Sequence, residues 1–327
     1  MDILKTLTAI NACHGPSGDE SAVAEMIESL AKPYADDIRR DVMGNLIVHK
    51  KGSGPRIMFA AHMDSIGFIV SFVEEDGKLR FGRLGGLDPY ACIYTPVRFK
   101  NGVKGVIAAD EDADEKKLTL NDLYIDIGAT SREEAEKQVK LGDTAIYAAP
   151  AIDLGDRISS PYLDNRICCV SLLMALEGLK ETKNDVYFVF TVQEELGLRG
   201  AGPAAYGIDP KYGIAVDITV GDEKKVGNCK LGDGAAIKVM DRSVICHPQM
   251  VKRLETLAGE KNIPAVLDVL RAGGTDAGAI NTTRGGICTG GVSVPCRYTH
   301  SPVEMVEKKD VQATADLIRA FAECDLD

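Results

Sequence analysis

Segments of helical period alternate with short continuous apolar runs at both ends of the chain. The N-terminal MDILKTLTAINACHG and residues 19–32 (DESAVAEMIESLAK) predict amphipathic helices. Residues 56–64 (RIMFAAHMD) form an apolar run of strand length that ends in polar residues. Residues 164–180 (DNRICCVSLLMALEGLK) predict a buried helix with Asp164 at its N-cap position. Two more apolar strands follow at 185–195 (DVYFVFTVQEE) and 211–218 (KYGIAVDI), and a last helix covers roughly 308–324. Continuous apolar strands between helices imply a mostly parallel sheet with helices on both faces, since a strand wetted on one face would alternate. In such sheets ligands sit beyond the C-terminal strand ends. His62, Glu195 and Asp217 each fall at such an end.

The stretch 69–156 follows another pattern. Short alternating segments are split by the turn signals EDGK (75–78), LGGLDP (84–89) and KNGVKG (100–105). One helix stands out there, opened by Ser131 with Glu134 three residues on, the spacing of a capping box. The pattern therefore predicts an α/β domain made of 1–68 and 157–327, interrupted by a small β-rich domain at 69–156.

Composition narrows the function. A chain of 327 residues with 45% hydrophobic content can bury a sizeable core, as one large domain or two smaller ones. No apolar run approaches the ~18 residues of a membrane span, and the N-terminus lacks the basic start and apolar stretch of a signal peptide. Nine cysteines without a C-x-x-C pair read as free thiols in a reducing compartment, which predicts a cytoplasmic protein. A net charge of -11 argues against nucleic acid as a partner.

The candidate chemistry lies in scattered polar residues. In AHMD (61–64), His62 can ligate a metal, and Asp64, two residues along the same strand face, can orient its ring. The same pair can instead simply tie off a strand end. Asp164 can cap its helix or bridge two ions with one oxygen each. Glu194 and Glu195 end an apolar strand, where buried carboxylates need metals, donors or water to offset them. Such a pair can supply one metal ligand and one general base, or sit in a solvated loop. Asp217 repeats the strand-end carboxylate, and His300 lies in the polar segment RYTHSP (297–302). Two imidazoles and three carboxylates without a thiolate suit zinc, cobalt or manganese. His14, His49 and His247 have no comparable setting and read as structural or exposed. The Gly-rich GGTDAG (273–278) lacks the strand-GxGxxG-helix context of a dinucleotide site and reads as a tight turn near a pocket.

Taken together, these segments resemble the tetrahedral aminopeptidases, which include glutamyl and deblocking aminopeptidases. The matching segments are PSGDE (16–20), AHMDSIGF (61–68), DLGDRISSPYLDNR (153–166), TVQEELGLRGA (191–201), VD (216–217), AGGTDAG (272–278) and RYTHSP (297–302). They run nearly end to end in the family's order. The resemblance implies two divalent metal ions per subunit, with His62 and Asp217 on one, Glu195 and His300 on the other, and Asp164 between them. It implies Glu194 as general base and Asp64 as support for His62. The insert resembles a PDZ-like domain through which subunits assemble into dimers and dodecamers. Substrates would be peptides with a free N-terminus. Ser65 departs from the glutamate that family members often carry after the H-x-D segment.

Three other activities use related parts. A glycoside hydrolase would place two carboxyl groups about 5–9.5 Å apart across one bond and would not need His62 or His300. A catalytically inactive assembly protein on the same fold would bind no substrate productively. A deacylase or carboxypeptidase would accept a blocked N-terminus.

Overall fold

The apolar periods become elements close to where the pattern places them. A computed structural model describes residues 1–223 and 225–326. It has helices at Ile3–Asn11, Ser21–Ala31, Leu163–Gly178 and Lys308–Glu323, and strands at Arg56–His62, Asp185–Thr191 and Tyr212–Val220. Eleven strands form one sheet. Its main path runs Asp37–Arg40, Leu46–Lys50, Asp185–Thr191, Arg56–His62, Tyr212–Val220, Cys288–Arg297, Glu304–Glu307, Arg157–Ser160 and Ile152–Leu154. Ala235–Met240 pairs with Cys288–Arg297 and carries Ala265–Val269 at its other edge.

The sheet is mixed, which corrects the expectation of a mostly parallel one. Arg56–His62 lies parallel to both of its neighbours, Tyr212–Val220 is parallel to Cys288–Arg297, and Ala235–Met240 is parallel to Ala265–Val269. The remaining pairings are antiparallel. For the hairpins the reason is connection length. Asp37–Arg40 and Leu46–Lys50, or Ile152–Leu154 and Arg157–Ser160, are joined by links too short for a parallel crossover.

The central strands are apolar throughout because both faces are covered. Ile57, Phe59 and Ala61 enter one buried cluster with Val186, Phe188 and Phe190, beneath the helices Leu163–Gly178 and Lys308–Glu323. The alternate residues Met58, Ala60 and Val189 enter a second cluster with Ala201, Ala204 and Ala205 of the helix Ala201–Ile208. Successive side chains point to opposite faces, so helices on both faces require apolar residues at every position.

The β-rich stretch is a closed six-stranded barrel. Its order is Gly67–Val73, Leu79–Leu84, Leu123–Asp126, Lys104–Ala109, Pro96–Phe99 and Thr144–Tyr147. The barrel has its own core, including Phe68, Val97, Phe99, Ile107 and Ile125. Ser131 does cap a helix, but a short one, Arg132–Glu136. Only half of the expected capping box forms, because the Glu134 carboxylate accepts from the main chain and hydroxyl of Thr130 instead of from Ser131. Among the described residues no helix is long and apolar enough to cross a membrane.

Candidate metal centre

The site begins where two central strands part. Arg56–His62 and Tyr212–Val220 pair only as far as Ala60 and Ala215. Beyond that point a crevice opens, with His62 on one wall and Asp217 on the other. Asp217 lies inside its strand and not at its end as the pattern predicted, because the strand continues along Cys288–Arg297 to Val220.

The strand Asp185–Thr191 ends beside His62, and the chain then turns sharply at Gln193 (φ 55°). Asp64 fastens that turn. Its Oδ1 accepts the Glu194 N–H at 3.0 Å, and its Oδ2 accepts the Glu195 N–H at 3.3 Å and the Ser17 hydroxyl at 2.6 Å. Both glutamates are thereby carried to one place. Asp64 Oδ1 also stands 3.4 Å from His62 Nδ1, which leaves His62 Nε2 facing the crevice.

Asp164 is not the N-cap predicted for its helix. Asp164 (φ -76°, ψ 103°) and Asn165 (φ -121°, ψ 23°) depart from helical geometry, and Tyr162 takes the capping position. The Asp164 carboxylate is released into the crevice. Its Oδ1 lies 3.1 Å from His62 Nε2 and its Oδ2 lies 3.2 Å from His300 Nε2. His300 arrives from a loop with φ 63°, and its Nε2 lies 3.3 Å from Glu195 Oε1. The barrel supplies the last wall. A Cβ on Gly86 would lie 2.9 Å from His300 Nδ1, and one on Gly85 (φ +80°) would lie 2.9 Å from Glu195 Oε2. Only glycine lets this loop approach so closely.

These residues fit divalent cations. Ligand atoms on a tetrahedral zinc stand about 3.3 Å apart, given bonds of about 2.0–2.1 Å. Here His62 Nε2 lies 3.1, 3.7 and 3.8 Å from oxygens of Asp164, Asp217 and Glu194. Two triads, His62–Asp164–Glu195 and His62–Glu194–Asp217, each bring their ligand atoms within 4.8 Å of one another. Glu194 thus stands close enough to ligate or to act as base. Glu195 Oε1 is buried without a hydrogen bond. The cleft holds about 500 Å³, and among the described residues no lysine or arginine lines it.

Electrostatics agrees with that donor set. Burial, with Asp217, Asp276 and Glu195 nearby, pushes the Glu194 carboxyl well above the usual range against the pull of His62. Burial likewise raises Asp217, with Asp164 and Asp276 adding to it. Burial acts to raise Asp164 too, but the imidazoles of His300 and His62 outweigh it and hold that carboxyl below the usual range. Burial opposes the charged form of His300, yet Asp164 and Glu195 push it up to about 12. A crowd of carboxylates that holds protons on two imidazoles can hold cations in their place, since metal binding displaces those protons.

Other buried carboxylates support the site: Glu20 and Asp276 lie in the segments PSGDE and AGGTDAG, and Glu304 lies outside every segment singled out above. Glu304 Oε2 accepts the Asp164 N–H at 2.9 Å and its Oε1 accepts the His300 N–H at 2.7 Å. Glu20 Oε1 accepts from the Gly18 and Gln193 main chains. Asp276, from the Gly-rich GGTDAG, accepts the Thr191 hydroxyl at 2.6 Å. The available signal was a carboxylate flanked by apolar residues, as in VEMV (303–306), which also fits a half-exposed strand. Ser65 is fully buried and bonds the Gly15 carbonyl, away from the crevice. The other histidines lie elsewhere: His14 beside Thr144, His49 stacked on Tyr187, and His247 at a helix N-terminus.

A family model described as M42 glutamyl aminopeptidase matches residues 44–317. The chain belongs to that family. A putative aminopeptidase of Acetivibrio thermocellus is 48% identical over 97% of this chain and 96% of its own length. Aminopeptidase APDkam598 from the archaeon Desulfurococcus kamchatkensis superposes with a TM-score of 0.94 at 38% identity, over 98% of this chain and 94% of that one. The TET1 peptidase of Pyrococcus horikoshii, which can assemble into a tetrahedron or a large octahedral shell, superposes at 0.91 with 34% identity, over 98% and 99%. This M42 protein is a metal-dependent aminopeptidase, and the family decides against the glycoside hydrolase and inactive-assembly alternatives.

Proposed function

We propose that this M42 aminopeptidase removes N-terminal residues from peptides with two divalent ions, zinc or cobalt, with manganese a third choice. His62 and Asp217 would hold one ion, Glu195 and His300 the other, and Asp164 would bridge them. The observation that carries this reading is the placement of the two Asp164 oxygens, 3.1 and 3.2 Å from two different imidazoles. Such ions supply Lewis acidity toward the scissile carbonyl and lower the pKa of a water.

The protein's own residues do the rest. Glu194 takes a proton from the attacking water at its carboxylate and returns one to the leaving amine. Burial raises its proton affinity, which favours a carboxylate that takes a proton from water. Asp64 orients His62 through Nδ1 and fixes the turn that presents Glu194 and Glu195. Asp217 accepts the following main-chain N–H at 2.8 Å, which steadies its carboxylate.

The same reading takes 1–68 and 157–327 as catalytic parts and 69–156 as a PDZ-like insert through which copies assemble into dimers and dodecamers; the barrel strands themselves run from Gly67 to Tyr147, and Ile152–Leu154 belongs to the large sheet. The shells formed by the Pyrococcus horikoshii relative support an oligomer. Nine free cysteines, six of them fully or nearly fully buried, support a reducing, cytoplasmic setting.

The test is hydrolysis of a peptide with a free N-terminus and of its acetylated twin, before and after chelation and metal return. Cleavage of the free peptide alone, lost with chelator and restored by zinc, cobalt or manganese, is the expected result. Equal cleavage of the acetylated peptide would point to a deacylase or carboxypeptidase and sink the reading.

A further inference from the structure

Asp64 is fully buried, and the bonds to its carboxylate are unequal. Oδ1 accepts the Glu194 N–H at 3.0 Å and stands 3.4 Å from His62 Nδ1. Oδ2 accepts the Ser17 hydroxyl at 2.6 Å and the Glu195 N–H at 3.3 Å. The Ser17 bond is the shortest of these, in the range of a charge-assisted O–H···O bond. It offsets part of the cost of burying the Asp64 charge. Without that hydroxyl, Oδ2 keeps only the long bond to Glu195 among the described residues. The carboxylate can then rotate away from His62 Nδ1 and from the two main-chain groups it fastens.

The loop that carries Ser17 is held in place by other bonds. The Ser17 N–H donates to the Ser65 carbonyl at 3.1 Å, and the Ser65 N–H donates to the Gly15 carbonyl at 3.1 Å. Arg166, fully buried, donates to the same Gly15 carbonyl at 3.1 Å. At the far end of the loop, Glu20 Oε1 accepts the Gly18 N–H at 2.7 Å and the Gln193 N–H at 3.2 Å. The loop therefore does not depend on the Ser17 hydroxyl for its position. Ser17 also lines a cavity of about 630 Å³ whose barrel side includes Ile69, Leu84 and Phe99, which offers space for an added methyl group. It does not line the metal cleft.

We propose that Ser17 is a positioning residue for the hydrolytic centre. Its hydroxyl holds Asp64 in the orientation that aims His62 into the crevice and presents Glu194 and Glu195 from one turn. Ser17 acts through Asp64 and not on the substrate. The inference rests on the peptidase reading of the site and adds a residue that this reading does not use.

Ser17→Thr and Ser17→Val have nearly the same shape and differ in the hydroxyl, while Ser17→Ala removes the hydroxyl without adding bulk. Each zinc-loaded variant is assayed for kcat and KM on an amino-acid anilide and for the rate of zinc loss to a chelator, with circular dichroism to check the fold. Ser17→Ala and Ser17→Val are expected to lower kcat by about tenfold, the low end for groups that orient a metal's surroundings, and to speed zinc loss by about as much. KM should stay close to wild type, and Ser17→Thr should restore both kcat and the rate of zinc loss. If the branched variants misfold, folded Ser17→Ala decides alone. Wild-type kcat and zinc loss in that variant, a rise in KM at unchanged kcat, or a folded Ser17→Thr as impaired as Ser17→Val overturns the inference. If wild type cleaves no anilide while Ser17→Ala still sheds zinc faster, the peptidase reading of the site falls and the positioning role stands.

Discussion

Glu304 accepts the main-chain N–H of Asp164 at 2.9 Å, across 140 residues of sequence. Its second oxygen accepts the His300 N–H, so one buried carboxylate sets the positions of two proposed ligands. Glu304→Gln replaces one acceptor oxygen with a donor that repels an N–H. Metal affinity is expected to fall roughly 10–100-fold, the usual range for a group that orients metal ligands, while the fold persists. Metal titration of the folded variant checks this; unchanged affinity would show that Asp164 and His300 need no such clamp.

Asp164→Asn keeps the shape and removes the charge shared between His62 and His300. Metal analysis after dialysis should find fewer than two ions retained. Two tightly held ions in this variant would remove Asp164 from the bridging position.

Glu194→Gln should retain metal and lose activity by about 10²–10⁴-fold in kcat, the range for a general acid-base group. The Glu194 carboxylate also stands 3.8 Å from His62 Nε2, within ligand reach. A loss of metal together with activity would reassign Glu194 as a ligand.

Gly86→Ala would drive a Cβ to 2.9 Å from His300 Nδ1. The ring must then shift, and the rate of metal loss to chelator is expected to rise with little change in melting temperature. If chelation proceeds at the wild-type rate, the barrel loop does not constrain the site.

His14 links the α/β core to the barrel, with its Nε2 2.8 Å from Thr144 Oγ1 and its Nδ1 buried without a partner. Burial pulls its pKa down to about 4, with Asp19 opposing only in part. The unfolded chain takes up this proton near pH 6.5 and the folded chain only near 4. Stability present above pH 6.5 is therefore lost as pH falls toward 4, by about 3 kcal/mol in total. Urea unfolding at pH 7 and pH 4.5 should show a smaller difference for His14→Gln than for wild type. An equal difference in both proteins would mean that another group carries the acid sensitivity.

The periodicity of apolar positions determined the helices and central strands, because burial on one or both faces is written locally at periods of 3.6 and 2. Residue chemistry in AHMD, DNR, QEE, VD and RYTHSP singled out the side chains that the structure brings into one crevice. Pairing direction was not written locally: the outer strands are antiparallel because their connections are short, a property of partners and not of any one strand. The release of Asp164 from its expected cap, the clamp by Glu304 and the wall formed by Gly85 and Gly86 were decided only by tertiary structure. His62 and Asp164 lie 102 residues apart in sequence, and a contact across such a separation depends on which elements pack together. No local pattern encodes that.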